Sequence, residues 1–169
     1  MKKLIVLMLV IMIIPFTNVL NAQIERFQTT FIYTFARSIQ WPNFENDKEF
    51  VIGVIGNNHP LTKELEATKG NRTTAGRPIK LVEFSSIDNI GECHILFVPN
   101  NRLRHLKDIS DKVKNTSTLI VTEAQGRNPN GSVINLYVED ERMRFSLDED
   151  LARDKKLLVS TQLRNYSKN

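Results

Sequence analysis

Residues 49–60 read EFVIGVIGNNHP, and this stretch contains the clearest sign of the fold. From Phe50 to Ile55 the apolar side chains follow one another without polar alternation, which is typical of a strand buried on both faces. A polar turn then leads to Pro60, a residue well suited to the first turn of a helix. A buried strand followed directly by a helix predicts a βα unit of a parallel sheet.

The same alternation of strands and helices continues towards the C-terminus. Further strands are predicted within RPIKLVEF (77–84), ECHILFVPNN (92–101) and STLIVTEA (117–124), and apolar spacing predicts an amphipathic helix over 103–113. Strands that alternate with helices are typical of a mainly parallel sheet with helices on its faces.

The pattern changes after the last of these strands. VINLYV (133–138) and RMRFSL (142–147) are predicted to pair as an antiparallel hairpin, with the arginines of the second segment toward water. A charged helix over 148–155 and a final strand or helix over 156–166 follow. We therefore predict an α/β fold: a mainly parallel central sheet of about five to six strands flanked by helices, with an antiparallel hairpin at one edge.

The segment before the first strand carries the only tryptophan of the chain. Apolar residues at steps of three and four predict a helix that places Phe27, Phe31 and Phe35 in the core. Pro42 disfavours helical geometry at Trp41, so the helix should end there. We expect Trp41 to be at least half buried and to close one end of the sheet.

The first 22 residues are typical of a secretory signal peptide. Lys2 and Lys3 precede an apolar run from Leu4 to Phe16, and the small residue Ala22 marks the expected cleavage site. An uncleaved anchor is the alternative, although the run is short for a span of roughly 20 residues. We expect residues 1–22 to be a signal peptide, residues 23–169 to form a single domain, and the protein to be exported.

Composition narrows the classes of function. Without Lys2 and Lys3 the formal net charge falls from +4 to +2, which gives no basic stripe for nucleic acid. Motifs for zinc binding, phosphate binding and nucleophilic catalysis are absent from the sequence, so we expect neither an enzyme nor a metal or cofactor. The single cysteine, Cys93, excludes an internal disulfide, and it leaves an intermolecular one open. Neighbouring side chains on a strand point to opposite faces, so Cys93 and His94 should not form a catalytic pair.

One loop is a candidate ligand site. Gly56, Asn57, Asn58 and His59 join the carboxyl end of a buried strand to a helix start, where open parallel sheets bind ligands and where anions are favoured. The alternative is a plain turn capped by Asn58.

Other polar residues allow two interpretations as well. Asn135 lies in an apolar strand, where a buried amide satisfies backbone groups more often than it contacts a ligand. The glycine- and asparagine-rich loop over 125–132 is either a partner contact or an ordinary mobile loop. Arg37 is interpreted as a solvated charge on the first helix.

Several segments together resemble the YfiR family of exported bacterial proteins, whose members typically have an aromatic-rich first helix that ends in Trp-Pro. Cys93 matches a cysteine often found in that family. The segments keep the family's order and cover nearly all of residues 23–169: FIYTFARSIQWP (31–42), FVIGVIGNNHPL (50–61), GRPIKLVEF (76–84), CHILFVP (93–99), TLIVTEAQG (118–126), NGSVINLYVEDERMRFSLD (130–148) and KLLVSTQL (156–163).

The resemblance implies a periplasmic regulatory binding protein. The namesake type is usually a dimer and represses a membrane-bound diguanylate cyclase by engaging its periplasmic sensor region, thereby controlling cyclic-di-GMP output. The resemblance therefore implies an inner-membrane signalling protein as partner and a homodimer as the assembly. Redox sensing through an internal disulfide is excluded here because Cys93 has no second cysteine in the chain.

The expected partner-binding residues fall in two places: Trp41 and Phe44 after the first helix, and Gly126, Arg127 and Asn130 in the later loop. The alternative function is a small-ligand sensor or carrier that uses the strand-end loops at 56–59 and 126–131.

Overall fold

The structure is a computed structural model that describes residues 23–126 and 128–167. The expected signal peptide, Arg127 and residues 168–169 lie outside the described residues. The first described helix, α1, covers residues 23–38 and is followed by the two-residue strand β1 (Ile39–Gln40). The helix therefore ends three residues before Trp41, because the chain turns into a strand pairing there.

A seven-stranded sheet forms the centre of the described chain, in the order β3-β4-β2-β5-β6-β7-β8. The five inner strands are parallel, and β3 and β8 pair antiparallel at the two edges. This confirms the predicted fold class and places the β7–β8 hairpin at an edge. The strands are β2 (Phe50–Ile55), β3 (Thr73–Thr74), β4 (Arg77–Phe84), β5 (Ile95–Val98), β6 (Leu119–Thr122), β7 (Ile134–Glu139) and β8 (Arg142–Leu147).

Helices connect and cover these strands. The remaining α-helices are α2 (Pro60–Lys69), α3 (Leu106–Lys112), α4 (Glu149–Asp154) and α5 (Thr161–Tyr166), and short 3-10 helices cover Phe44–Asn46 and Asn100–His105. The last strand, β9 (Leu158–Val159), pairs antiparallel with β1. The closing segment is thus both a strand and a helix. Every helix in the described ranges is too short or too polar to span a bilayer.

The sheet has an apolar layer on each face, as the unbroken apolar strands predict. In β5, Ile95 and Phe97 pack with α1, α2, α4 and α5, whereas Leu96 and Val98 pack with α3. All four side chains are fully buried. The period of two along a strand therefore distributes each strand between two cores.

Gly53 marks a close approach inside the sheet. A Cβ atom at this position would lie 2.5 Å from the Phe84 ring and 3.3 Å from Leu96. The sequence FVIGVI therefore carries a glycine in its middle because two neighbouring side chains fill the space above it.

The expectation for the first helix was wrong at one position. Phe35 is fully buried and Phe31 is partly buried, and their rings lie 5.3 and 5.6 Å from that of Phe145 on β8. Phe27, in contrast, is 56% exposed. Helical spacing places Phe27 near Phe31 and Phe35, but in its turn of α1 the buried residues are Gln28 and Thr29, so Phe27 faces solvent.

Candidate functional site

Trp41 lies at the amino-terminal edge of the parallel sheet, next to the residues that precede β5. Its indole Nε1 donates a hydrogen bond to the His94 carbonyl oxygen at 3.1 Å, and its ring packs edge-on against Phe50 with centroids 5.0 Å apart. Trp41 is 8% exposed. The expectation that it is at least half buried is confirmed, and the residue closes this end of the core.

His94 completes this cluster with both ring nitrogens occupied. Its Nδ1 accepts the Val51 amide at 3.0 Å, so Nε2 carries the proton and lies 3.1 Å from the Asp47 carboxylate. The ring stacks on Phe50 with centroids 4.7 Å apart. With neither nitrogen available to a substrate, His94 has a structural rather than a catalytic arrangement.

Cys93 packs in the opposite core from His94, as predicted, although both residues precede β5 rather than belonging to it. The thiol is buried and packs among the residues of the α3 layer. Burial raises the pKa of the Cys93 thiol to about 12 despite a hydrogen-bond interaction with Thr118 that lowers it. A thiol that stays protonated at neutral pH is a poor nucleophile, so this cysteine is a packing residue.

Phe44 is the more accessible aromatic residue of the same edge. It is partly buried, its ring lies 5.1 Å from that of His94, and the Arg77 guanidinium lies 5.7 Å from its centroid. Arg77 is fixed by hydrogen bonds to the carbonyl oxygens of Glu45 and Asp47 at 2.6 and 2.9 Å. A groove of about 410 Å³ at this edge is lined by residues that include Trp41, Asp47 and His94, while Phe44 and Arg77 lie outside its lining. The edge therefore presents a held aromatic and a held cation next to a concave surface.

The carboxyl edge of the sheet contains the place where open α/β sheets usually bind ligands. Counted along the chain, the five parallel strands stand in the order 2-1-3-4-5, so the connections reverse direction between β2 and β5. The loop 56–59 follows β2 and Asn100 follows β5 closely. Loops at such a switch point normally offer free amides to anions.

In this chain the amides at the switch point are occupied by the protein's own carboxylates. Glu83, near the end of β4, accepts the Asn58 and His59 amides at 2.7 and 2.8 Å. Glu123, directly after β6, accepts the Asn100 amide at 2.8 Å and the side-chain amide of Gln28 at 2.6 Å. The turns that would hold an external anion are therefore already neutralised from within.

These contacts set the ionisation of Glu83. Burial would raise the pKa of its carboxyl, but the Thr62 side chain and the hydrogen bonds from the His59 and Asn58 amides together lower the pKa below the ordinary value of 4.5. Glu83 is therefore anionic at neutral pH and serves as an internal replacement for a bound anion.

His59, not Asn58, caps α2. The His59 Nδ1 accepts the Leu61 amide at 3.2 Å, whereas Asn58 adopts a left-handed backbone with φ 54° and makes no capping contact. Burial lowers the pKa of His59, outweighing the opposing effects of Glu123 and Glu83. A neutral imidazole suits the capping role, because Nδ1 must keep its lone pair to accept the amide. In the described residues no group of three or more His, Cys, Asp and Glu side chains is arranged to hold a metal ion.

The later loop, between β6 and β7, lies at the same carboxyl edge and rests on a buried amide. Asn135 is fully buried; its Oδ1 accepts the Ala124 amide at 2.7 Å and the Thr122 hydroxyl at 2.8 Å, and its Nδ2 donates to the Ala124 carbonyl at 2.8 Å. Both polar atoms of the Asn135 side chain thus have partners within the protein, which supports the structural interpretation of this residue. Gly126 and Asn130 are exposed above it.

The structure separates residues that the sequence treated together. Trp41 and Phe44 lie at the amino edge of the sheet, whereas Gly126 and Asn130 lie at the carboxyl edge with the loop 56–59. The two groups of expected partner residues therefore lie at opposite ends. Sequence reasoning missed Glu83 and Glu123, although both show the same signal: a carboxylate at or just after the end of a buried parallel strand.

Comparison with protein-family models gave a match over most of the chain. A family model described as YfiR/HmsC-like matches residues 25–168. A search of curated proteins found no match. The matched range includes every strand of the central sheet and both of its edges. The chain therefore belongs to the YfiR/HmsC-like family.

Proposed function

We propose that this protein is a periplasmic regulator that works by binding another protein rather than by catalysis. Membership of the YfiR/HmsC-like family supports a regulatory role in general. The finer proposal, by resemblance to the namesake type, is that the partner is an inner-membrane signalling protein such as a diguanylate cyclase, engaged through its periplasmic region.

The backbone amides at the switch point are already bonded to carboxylates of the protein. This observation favours protein binding over ligand sensing at the loop 56–59. Glu83 already holds the amides that an anionic ligand would need. A small ligand at this loop would have to displace a carboxylate that is part of the same chain and therefore present at high effective concentration. The alternative of a ligand sensor at 56–59 thus carries an energetic cost that a docking surface does not.

The amino edge is the first docking surface we propose. Trp41 is too buried to contribute more than an edge, so the contact falls on Phe44 and the adjacent Arg77. Aromatic and arginine side chains are enriched at interface hot spots. The loop with Gly126, Arg127 and Asn130 is the second candidate surface.

Capture from detergent-solubilised membranes tests this proposal. The exported protein should retain a membrane signalling protein, and Phe44→Ser should reduce that capture at least about tenfold if Phe44 is a hot spot. Phe27→Ser is the matched control, because Phe27 is an exposed aromatic away from the amino edge. Arg127→Glu tests the second surface in the same assay.

The outcomes discriminate between the candidates. Loss of capture with Arg127→Glu but not with Phe44→Ser would indicate that the partner docks on the second surface. Recovery of no membrane signalling protein by the wild type would refute the proposal. A rise in melting temperature with a small molecule, abolished by substitution of His59, would favour the ligand sensor instead.

We also propose a homodimer, by resemblance to the namesake type. Light scattering on the exported protein under reducing and oxidising conditions tests this. Because Cys93 is buried, the dimer should persist under reduction. A mass that doubles only on oxidation would instead indicate an intermolecular disulfide.

A further inference from the structure

A second groove lies between α1 and α2, away from both edges discussed above. Its volume is about 480 Å³, and the charged side chains that line it are Arg26, Arg37 and Arg72 against a single carboxylate, Glu64. The groove therefore carries an excess of two positive charges. Such an excess in a concave surface attracts a doubly charged anion.

Arg72 is held in position at the groove. Its Nε donates to the Thr68 carbonyl oxygen at 3.1 Å, and its guanidinium lies 5.0 Å from the centroid of the Tyr33 ring. Tyr33 is in turn fixed by a hydrogen bond from its hydroxyl to the Leu65 carbonyl at 2.8 Å. A guanidinium with one nitrogen anchored and both terminal nitrogens left to donate is pre-organised for an oxyanion.

The other two arginines are only weakly engaged within the described residues. Arg26 lies 3.8 Å from the Glu64 carboxylate, at the outer limit of an ion pair, and its side chain is 76% exposed. Arg37 is exposed and forms no ion pair among the described residues. Neither charge is neutralised by a tight contact, so both remain available to a ligand.

Thr29 supplies an independent sign of a missing partner. It lines the groove and is 4% exposed, yet its hydroxyl oxygen has no hydrogen-bond partner in the described part of the chain. The hydroxyls of Thr30 and Thr68, on the same two helices, donate to carbonyl oxygens four residues earlier at 2.9 and 2.7 Å. A buried polar group without a partner costs stability and calls for an explanation such as an absent ligand.

We propose that this groove binds the dianionic phosphate group of a phosphate monoester, with Arg37 and Arg72 as its principal ligands and the Thr29 hydroxyl at its base. Such a group carries between one and a half and two negative charges at neutral pH, roughly matching the charge excess of the groove. The phosphate oxygens suit the forked donors of arginine. They can also accept a hydrogen bond from the Thr29 hydroxyl once the threonine side chain rotates about χ1. This site does not depend on the proposed docking function, and phosphate binding to it can be measured on the protein without any partner.

Isothermal titration of the exported protein with glycerol 3-phosphate, at ionic strength fixed with chloride, tests the site. Arg37→Gln should weaken binding about tenfold, the loss expected for one charge-assisted hydrogen bond. Arg153→Gln, an exposed arginine on α4, is the matched control and should bind like the wild type. Succinate, a dianion of different geometry, should bind more weakly than glycerol 3-phosphate.

Thr29→Val separates a ligand role from a structural one. Replacing an unpartnered buried hydroxyl by a methyl group should leave the melting temperature unchanged or raised, while weakening phosphate binding about threefold. Binding to vesicles that contain phosphatidic acid, absent with phosphatidylcholine, would assign the phosphate to a lipid headgroup rather than to a soluble ester.

Several results would overturn the proposal. These are no heat of binding above the chloride control, equal affinity for succinate, or unaltered affinity in Arg37→Gln. Loss of membrane-protein capture by Arg37→Gln without any phosphate binding would show that the groove receives an acidic segment of the partner protein instead.

Discussion

At the scale of single residues, Trp41 shows how one side chain joins separate parts of the chain. Its indole bonds to the carbonyl oxygen of His94, which also accepts the Leu119 amide at 2.8 Å. Its ring packs edge-on against Phe50 at the start of β2. The choice of tryptophan is explained by this double demand for a large apolar surface and one donor.

Substitution of Trp41 should therefore cost stability in two steps. Trp41→Phe keeps most of the apolar contact and loses the hydrogen bond, so we expect a loss of about 1 kcal/mol in the free energy of unfolding. Trp41→Ala also leaves a cavity and should cost about 3–5 kcal/mol. Equilibrium unfolding in urea measures both, and a loss below about 1 kcal/mol for Trp41→Ala would contradict its role as a plug.

The buried thiol of Cys93 predicts sensitivity to alkaline pH. Its folded pKa of about 12 lies above the ordinary value of 9.0, so the protonated thiol favours the folded state. That contribution is complete below pH 9 and is lost as the pH rises towards 12, at about 1.4 kcal/mol per pH unit. The stability of wild type relative to Cys93→Ala, measured in urea from pH 8 to pH 10.5, should fall in this way. A difference that stays constant over this range would show that the thiol ionises freely in the folded protein.

At the scale of elements, the β2–α2 connection is stabilised by a distant strand. His59 caps the helix from within the loop, but two of the loop amides bond to Glu83 on β4. The turn is therefore not a self-contained motif, and its conformation depends on the pairing of β2 with β4.

Glu83→Gln should destabilise this connection. A glutamine offers one acceptor oxygen where the carboxylate offers two, so we expect a loss of about 1–3 kcal/mol at pH 7. Because the folded pKa of Glu83 is depressed, its contribution is present above the ordinary value of 4.5 and is lost as the pH falls through the lower folded value. When unfolding in urea is measured from pH 7 to pH 3, the free energies of unfolding of the wild type and of Glu83→Gln should converge. Glu66→Gln, an exposed carboxylate on α2, should change stability by less than about 0.5 kcal/mol.

At the scale of the whole molecule, Lys155 ties together the helices on opposite faces of the sheet. It follows α4 and is 7% exposed, and its ammonium donates to the carbonyl oxygens of Val113 and Thr116 after α3. Burial lowers the pKa of Lys155. Its stem thus packs around the amino edge while its ammonium bonds to carbonyl oxygens in the turn that follows the C-terminus of α3.

Lys155→Ala should disturb both layers at once. Removing the buried stem and its donors should cost about 2–4 kcal/mol, whereas Lys156→Ala, at the exposed neighbouring position, should cost less than about 0.5 kcal/mol. Hydrogen exchange should report faster opening at α3 as well as at α4. Faster exchange confined to α4 would show that the link between the layers carries little energy.

The sequence by itself determined the parts of this protein that depend on local pattern. Unbroken apolar strands require cover on both faces, so the parallel sheet, its order of elements and the edge hairpin were predictable. The expected alternation of side chains also separated Cys93 from His94, which directly precede β5. The segments that carry the family resemblance are the same strands and turns, because they are short, contiguous and read directly from the chain.

Only the tertiary structure decided which distant residues meet. Glu83 and Glu123 accept hydrogen bonds from backbone amides that lie more than twenty residues away in the chain, and no local pattern specifies that pairing. Phe27 is exposed because Gln28 and Thr29 occupy the packed side of α1 in the same turn. The groove with Arg37 and Arg72 exists because α1 and α2 lie side by side. Contacts of this kind arise from the packing of whole elements, so residues that look solvated in the sequence become one charged site in the fold.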